Sequence, residues 1–187
     1  MLVDLTSKRG RAHACLRATT RKAHEVLDSR FDASALSRRD LYANFLLKNF
    51  PVVAIEIALE GAGIFRLLPD WNLRRRREAL CADLKELGVT PPEPAIVAIA
   101  ENDGSLFGWT YVLEGSRLGA SAITKMISAM AMPDIENASK FLNHGSGTRF
   151  WNSFLEALAR IDQDEAEIRR ACVGAQAAFE CFLDYQV

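Results

Sequence analysis

Tyr111-Val112-Leu113-Glu114-Gly115-Ser116-Arg117-Leu118-Gly119-Ala120 is the stretch on which the reading of this chain turns. It is apolar and helix-forming except at Gly115 and Gly119. Each glycine costs about 1 kcal/mol relative to alanine inside a helix, so the pair needs a compensating reason. Four-residue spacing places both on one face, where the backbone is bare of side chains. Two accounts fit: another helix crosses there at close range, or a flat, bulky ligand lies on the backbone.

Working outward, the periodicity is helical throughout, and no segment alternates as a half-buried strand would. Helices are expected over about 11–29, 38–61, 73–87, 94–102, 105–131, 134–143, 148–160 and 164–185. Pro51 should kink or divide the second of these, because proline removes a helical hydrogen bond. Leu87-Gly88-Val89-Thr90-Pro91-Pro92, Met132-Pro133 and His144-Gly145-Ser146-Gly147 are breaks. The expected architecture is all-α: one compact domain of seven to eight helices over residues 1–187, with residues 1–10 disordered.

Bulk properties narrow the function classes. The chain has 187 residues, enough for a substantial core. A hydrophobic fraction of 49%, a charged fraction of 25% and a net charge of −1 describe an ordinary soluble protein without a nucleic-acid signature. Apolar runs are interrupted, as by Glu56 and Glu60, and none is expected to reach the length of a membrane-spanning helix. Met1 to Arg11 lacks the apolar centre of a signal peptide. Cys15, Cys81, Cys172 and Cys181 have no CxxC spacing and read as reduced, mostly buried thiols of a cytoplasmic protein. Three histidines, none close to two cysteines, argue against a zinc site.

A second segment bears on the ligand. In Leu16-Arg17-Ala18-Thr19-Thr20-Arg21-Lys22-Ala23-His24-Glu25-Val26-Leu27-Asp28, a helical wheel puts Leu16, Ala23 and Leu27 on one apolar stripe. His24, Arg17 and Asp28 follow along its edge. Asp28 is one turn beyond His24, within reach of its imidazole. A carboxylate there would fix the tautomer of a metal-binding histidine. Arg17 is two turns before His24, roughly 10 Å along the axis. A structural histidine at a helix edge is the plainer alternative.

Taken together these segments resemble the biliverdin-producing haem oxygenases, above all the short bacterial forms associated with phytochromes. The resemblance rests on Leu16 to Asp28, Tyr111 to Ala120, Phe141-Leu142-Asn143-His144-Gly145 with Arg149-Phe150-Trp151 and Phe154, and Ala178-Phe179-Glu180-Cys181-Phe182. It implies haem as both substrate and cofactor, with His24 as the iron ligand. It further implies dioxygen on the opposite face under Gly115 and Gly119, and an external electron donor such as a reductase or ferredoxin. The products would be biliverdin, carbon monoxide and ferrous iron, and a bilin-accepting photoreceptor is a conceivable recipient. Ser116 stands where the animal enzymes carry aspartate, which bears on the water network and not on the activity.

The same resemblance implies that Tyr111 and Arg17 hold haem propionates, with Arg21 and Lys125 next in line. Phe179 or Phe182 would wall the pocket. Arg117 falls away from the glycine face and should meet solvent or an acid. Arg74 to Arg77 read as a solvated helix face, with docking of an acidic electron donor as the alternative. His13 has a weak claim on iron, and His144 should cap or pack. Thiaminase-type enzymes and di-iron oxidases share such bundles, but the latter need more Glu, Asp and His ligands on facing helices. A haem carrier without turnover is the rival from another class.

Overall fold

The computed structural model describes residues 10–130 and 133–186. The expected disorder of residues 1–10 therefore lies outside the described residues, except at Gly10. The α-helices are α1 (Arg11–Ser29), α2 (Arg39–Lys48), α3 (Pro51–Gly61), α4 (Trp71–Arg74), α5 (Arg77–Glu86), α6 (Asp103–Met130), α7 (Pro133–Asn137), α8 (Lys140–Asn143), α9 (Phe150–Leu158) and α10 (Glu165–Leu183). No strand occurs among the described residues. α2 with α3, α4 with α5 and α7 with α8 are each one helical run broken by a short turn, so the all-α bundle has seven helical units. Pro51 opens α3 at its first turn, where its missing N–H costs least.

The expected helix over 94–102 does not form; that segment carries no regular structure. Pro91, Pro92 and Pro94 bias each preceding residue toward extended backbone. Burial then alternates: Val97 and Ile99 pack against the core, whereas Ile96 is fully exposed. That period of two belongs to extended chain.

Three long helices frame the molecule. α6 and α10 approach so closely that glycine is required between them. A Cβ on Gly108 would lie 2.1 Å from the Ala171 carbonyl oxygen, and one on Gly174 would lie 2.9 Å from that of Ser105. Gly104 is similarly confined by Glu167. α1 is anchored at its start by Asp162, whose Oδ1 accepts from the Ala12 N–H at 2.8 Å. Asp164 caps α10 by accepting from the Ala166 and Glu167 N–H groups.

Arg39–Gly61 is, by length and composition alone, apolar enough to cross a membrane, closer to a spanning helix than the sequence reading allowed. In the fold it is broken at Asn49 and Phe50 and supplies Tyr42, Leu46, Ile55 and Leu59 to the core.

Candidate functional site

α1 and α10 run side by side in the same direction. Cys15 meets Cys172, His24 meets Phe179, and Arg30 donates to the Leu183 carbonyl at 2.6 Å. α6 runs the same way, since Gly104 lies beside Glu167 and Gly108 beside Ala171 and Ala175. Helices share one rise per residue, so Gly115 stands near the height of Phe179 and hence of His24. α10 thus forms a floor between a histidine on α1 and a glycine face on α6.

His24 keeps 60% of its side chain exposed. Its Nδ1 lies 2.9 Å from Asp28 Oδ2. Against an ionised carboxylate Nδ1 carries the proton, which leaves the Nε2 lone pair available to a metal. The imidazole ring stands 6.0 Å from the Phe179 ring, centroid to centroid.

The glycine face is open. Among the described residues, a Cβ on Gly119 would meet nothing within 4 Å, and one on Gly115 would only touch Trp151 at 3.9 Å. The close helix crossing therefore belongs to Gly104, Gly108 and Gly174, and not to the pair that prompted the question. A flat group has room against this backbone, so the residues present fit a macrocycle ligated from His24.

Below that level, Tyr111 joins α6 to α1. Its hydroxyl is bonded to Thr20 and lies near the Arg17 charge. Burial nonetheless raises its pKa, against the lowering influence of Thr20 and Arg17. The Tyr111 ring packs at 5.7 Å from Trp151 and 6.1 Å from His13. His13 is buried in this aromatic cluster, about three turns before His24 on α1. Thr20 was overlooked in the sequence although it lies within the quoted segment, one turn before His24; the contact that marks it out is with a residue 91 positions on.

The opposite side of α6 corrects the reading of the arginine run. Arg74 and Arg76 are 1% and 2% exposed and are not a solvated face. Arg74 pairs with Asp70 at 2.8 Å, lies 3.4 Å from Glu114 Oε2 and donates to Ser153. Arg117 approaches the same Glu114 oxygen at 3.3 Å, the acid pairing expected of it. Its Nη1 also donates to His144 Nδ1 at 3.0 Å. Arg75 and Arg77 pair with Glu60 and Glu78. Glu56 accepts from the Arg76 and Arg77 N–H groups at 2.8 and 3.0 Å, capping α5. Burial lifts its carboxyl to about 7, against those bonds and the Arg76 charge.

Arg76 also donates to Ser116 Oγ and to the Leu113 carbonyl. The Ser116 hydroxyl itself donates back to the Leu113 carbonyl at 2.8 Å. Ser116, beside Gly115 in sequence, is thus tied to its own helix and to the buried arginine. Burial and the neighbouring Arg117 charge lower the Arg76 pKa to about 9.

Comparison with known proteins bears on the family and the fold. The sequence profile of the Heme oxygenase family matches residues 11–185. Heme oxygenase PigA of Pseudomonas aeruginosa is 31% identical over 175 residues, covering 90% of this chain and 88% of that protein. The heme oxygenase of Xanthomonas campestris pv. campestris is 30% identical over 145 residues, covering 76% of this chain and 87% of that one. The NO- and CO-bound heme oxygenase of Neisseria meningitidis has the same fold, with a TM-score of 0.77 at 23% identity over 94% of this chain and 89% of that one. With its helical order, its carboxylate-supported histidine and its bared α6 backbone, the chain belongs to the heme oxygenase family.

Proposed function

We propose that this protein, as a single domain, degrades haem oxidatively to biliverdin, carbon monoxide and ferrous iron. Haem-degrading oxidoreductase is the activity class of the family and of its named relatives. The observation that carries the reading onto particular residues is an exposed imidazole, supported on Nδ1 by Asp28, at the height of a helix face where Gly119 borders open space.

Haem, when bound, supplies the iron at which dioxygen is activated against the porphyrin itself. His24 Nε2 would hold that iron, and Asp28 keeps the ring in the required tautomer. Gly115 and Gly119 let the ligand lie on the α6 backbone. No carboxylate of α6 stands over this face, because Glu114 is buried on the far side between Arg74 and Arg117. Removing a strong acid from the oxygen side disfavours the peroxidase-like outcome. Ser116, whose hydroxyl is held by Arg76 and the Leu113 carbonyl, follows Gly115 without bringing a carboxylate to that face. Arg17 and Tyr111 receive the propionates, and Phe179 lines the floor beside His24. The electron donor is external, the compartment is cytoplasmic, and a photoreceptor is one destination for the bilin.

Incubating the protein with haem, oxygen and a reductant tests this reading. The haem absorption band should disappear as a bilin spectrum grows. A stable haem spectrum would mean a carrier instead. His24→Ala should lose the histidine-ligated spectrum and nearly all turnover, with partial recovery on adding imidazole. Unchanged ligation in that variant would remove His24 from the metal.

A further inference from the structure

The function just argued makes no use of the cysteines, yet two of them meet. Cys15 on α1 and Cys172 on α10, 157 positions apart, bring their sulfurs to 3.0 Å. Both are free thiols. Cys172 is buried and Cys15 is half-buried, so one sulfur of the pair is the more accessible. Cys81 and Cys181, also free, are half-buried elsewhere.

We propose that Cys15 and Cys172 are a dithiol modification site, converted by a peroxide into a disulfide that ties the first long helix to the last. The Cys15 thiolate attacks one peroxide oxygen; the O–O bond breaks, hydroxide leaves, and Cys15 becomes a sulfenic acid. The Cys172 thiol gives up its proton and attacks the Cys15 sulfur. The S–S bond forms, the S–O bond breaks and water leaves. One peroxide is thereby reduced to two waters as two thiols become one disulfide.

The environment assigns the order of attack. Burial pushes the Cys172 thiol up to about 11, with the Cys15 sulfur as a further cause and the Thr19 bond opposing. Cys172, the more buried of the two, is the less reachable by a peroxide and suits the second, resolving step. The two helices are held together on either side of the pair: α1 is pinned by Asp162 at its start and by the Arg30 bond to Leu183 at its end. Cys15 lies about 13 Å along α1 from His24. The crosslink would therefore clamp the histidine-bearing helix to the helix that carries Phe179.

The test uses the full-length chain without haem, treated with hydrogen peroxide. Peptide mapping of the non-reduced protein should recover a Cys15–Cys172 linked peptide, lighter by two hydrogen atoms and lost on reduction. The Cys81→Ser, Cys181→Ser double variant should give the same peptide, and Cys172→Ser should not. Closing so long a loop should raise Tm by about 5–15 °C over the reduced form. Should Cys172→Ser fold poorly, the wild-type map and the double variant still decide the matter. Recovery of Cys15 as sulfinic or sulfonic acid with Cys172 still a free thiol would overturn the proposal. So would links that run only through Cys81 or Cys181.

Discussion

His24 and His144 show how one residue type meets opposite surroundings in this fold. His24 is largely exposed, with the Asp28 carboxylate on Nδ1. His144 is half-buried against Arg117. Burial first, then the Arg117 and Arg76 charges, lower its pKa to about 4. The unfolded chain, with an ordinary histidine near 6.5, takes up that proton first as pH falls. Stability from neutral His144 is thus fully present above about 6.5 and is lost between roughly 6.5 and 4. Glu56, raised to about 7, acts with opposite sign: its contribution is present below 4.5 and is lost as pH climbs from there to 7. Comparing His144→Gln with wild type isolates the histidine. Urea unfolding should show a slope with pH flatter by about 1–2 kcal/mol across that window, discounted for a half-solvated ring. A slope identical to wild type would mean that His144 titrates normally. At the same scale, Arg17 and Tyr111 converge near Thr20. If they hold the propionates, Arg17→Ala and Tyr111→Phe should weaken haem binding by about 1–3 kcal/mol. They should also release a second biliverdin isomer, detectable by chromatography. Normal affinity with a single isomer in both variants would move the propionate contacts elsewhere, with Arg21 and Lys125 next in line.

Within helix α6, glycines have two distinct uses. Gly104 and Gly108 admit α10, whereas Gly115 and Gly119 border space. Gly119→Ala should leave apo-protein stability unchanged or raise it by up to about 1 kcal/mol through helix propensity. The new methyl would stand against the bound macrocycle, so turnover should fall. Gly108→Ala should do the reverse. Its methyl would meet the Ala171 carbonyl oxygen at 2.1 Å and push α6 and α10 apart, costing about 1–3 kcal/mol or more. Thermal melts of the two apo-variants decide the matter. Similar loss in both would return the Gly115–Gly119 face to helix packing.

For the whole molecule, the buried charges beneath α6 are the fastening between layers. Glu114 is 1% exposed and lies between Arg74 from α4 and Arg117 one turn along. Arg74 reaches on to α9 through Ser153 and the Phe150 carbonyl, and stacks over the Phe150 ring at 4.8 Å. Glu114→Ala would take a carboxylate from the half-buried Arg117 and from the buried Arg74, which keeps Asp70, a loss of up to about 3 kcal/mol. The expected signature in urea is a lower midpoint with an unchanged m-value. A midpoint within a few tenths of a molar of wild type would show the ion pairs to be dispensable.

The local chemistry of this chain was legible before any tertiary contact. Helical periodicity alone set His24, Asp28 and Arg17 along one edge, and the structure has the His24–Asp28 contact within hydrogen-bond distance. Both residues lie one turn apart on a single helix, so nothing distant is needed to bring them together. The all-α class was legible for the same reason. Three features were decided only by tertiary structure. Four consecutive arginines look alike in sequence, but the break between α4 and α5 buries Arg74 and Arg76 and leaves Arg75 and Arg77 half-buried against Glu60 and Glu78. The apolar run 94–102 has helical composition, but the prolines at its start and just before it, Pro91, Pro92 and Pro94, and the packing of Val97 and Ile99 on the core go with an irregular path. Which glycines meet a helix and which meet open space depends on where α10 crosses α6. Likewise the meeting of Cys15 with Cys172 depends on how α1 lies along α10. Those outcomes rest on contacts between segments far apart in the chain, and a pattern that repeats every few residues carries no information about them.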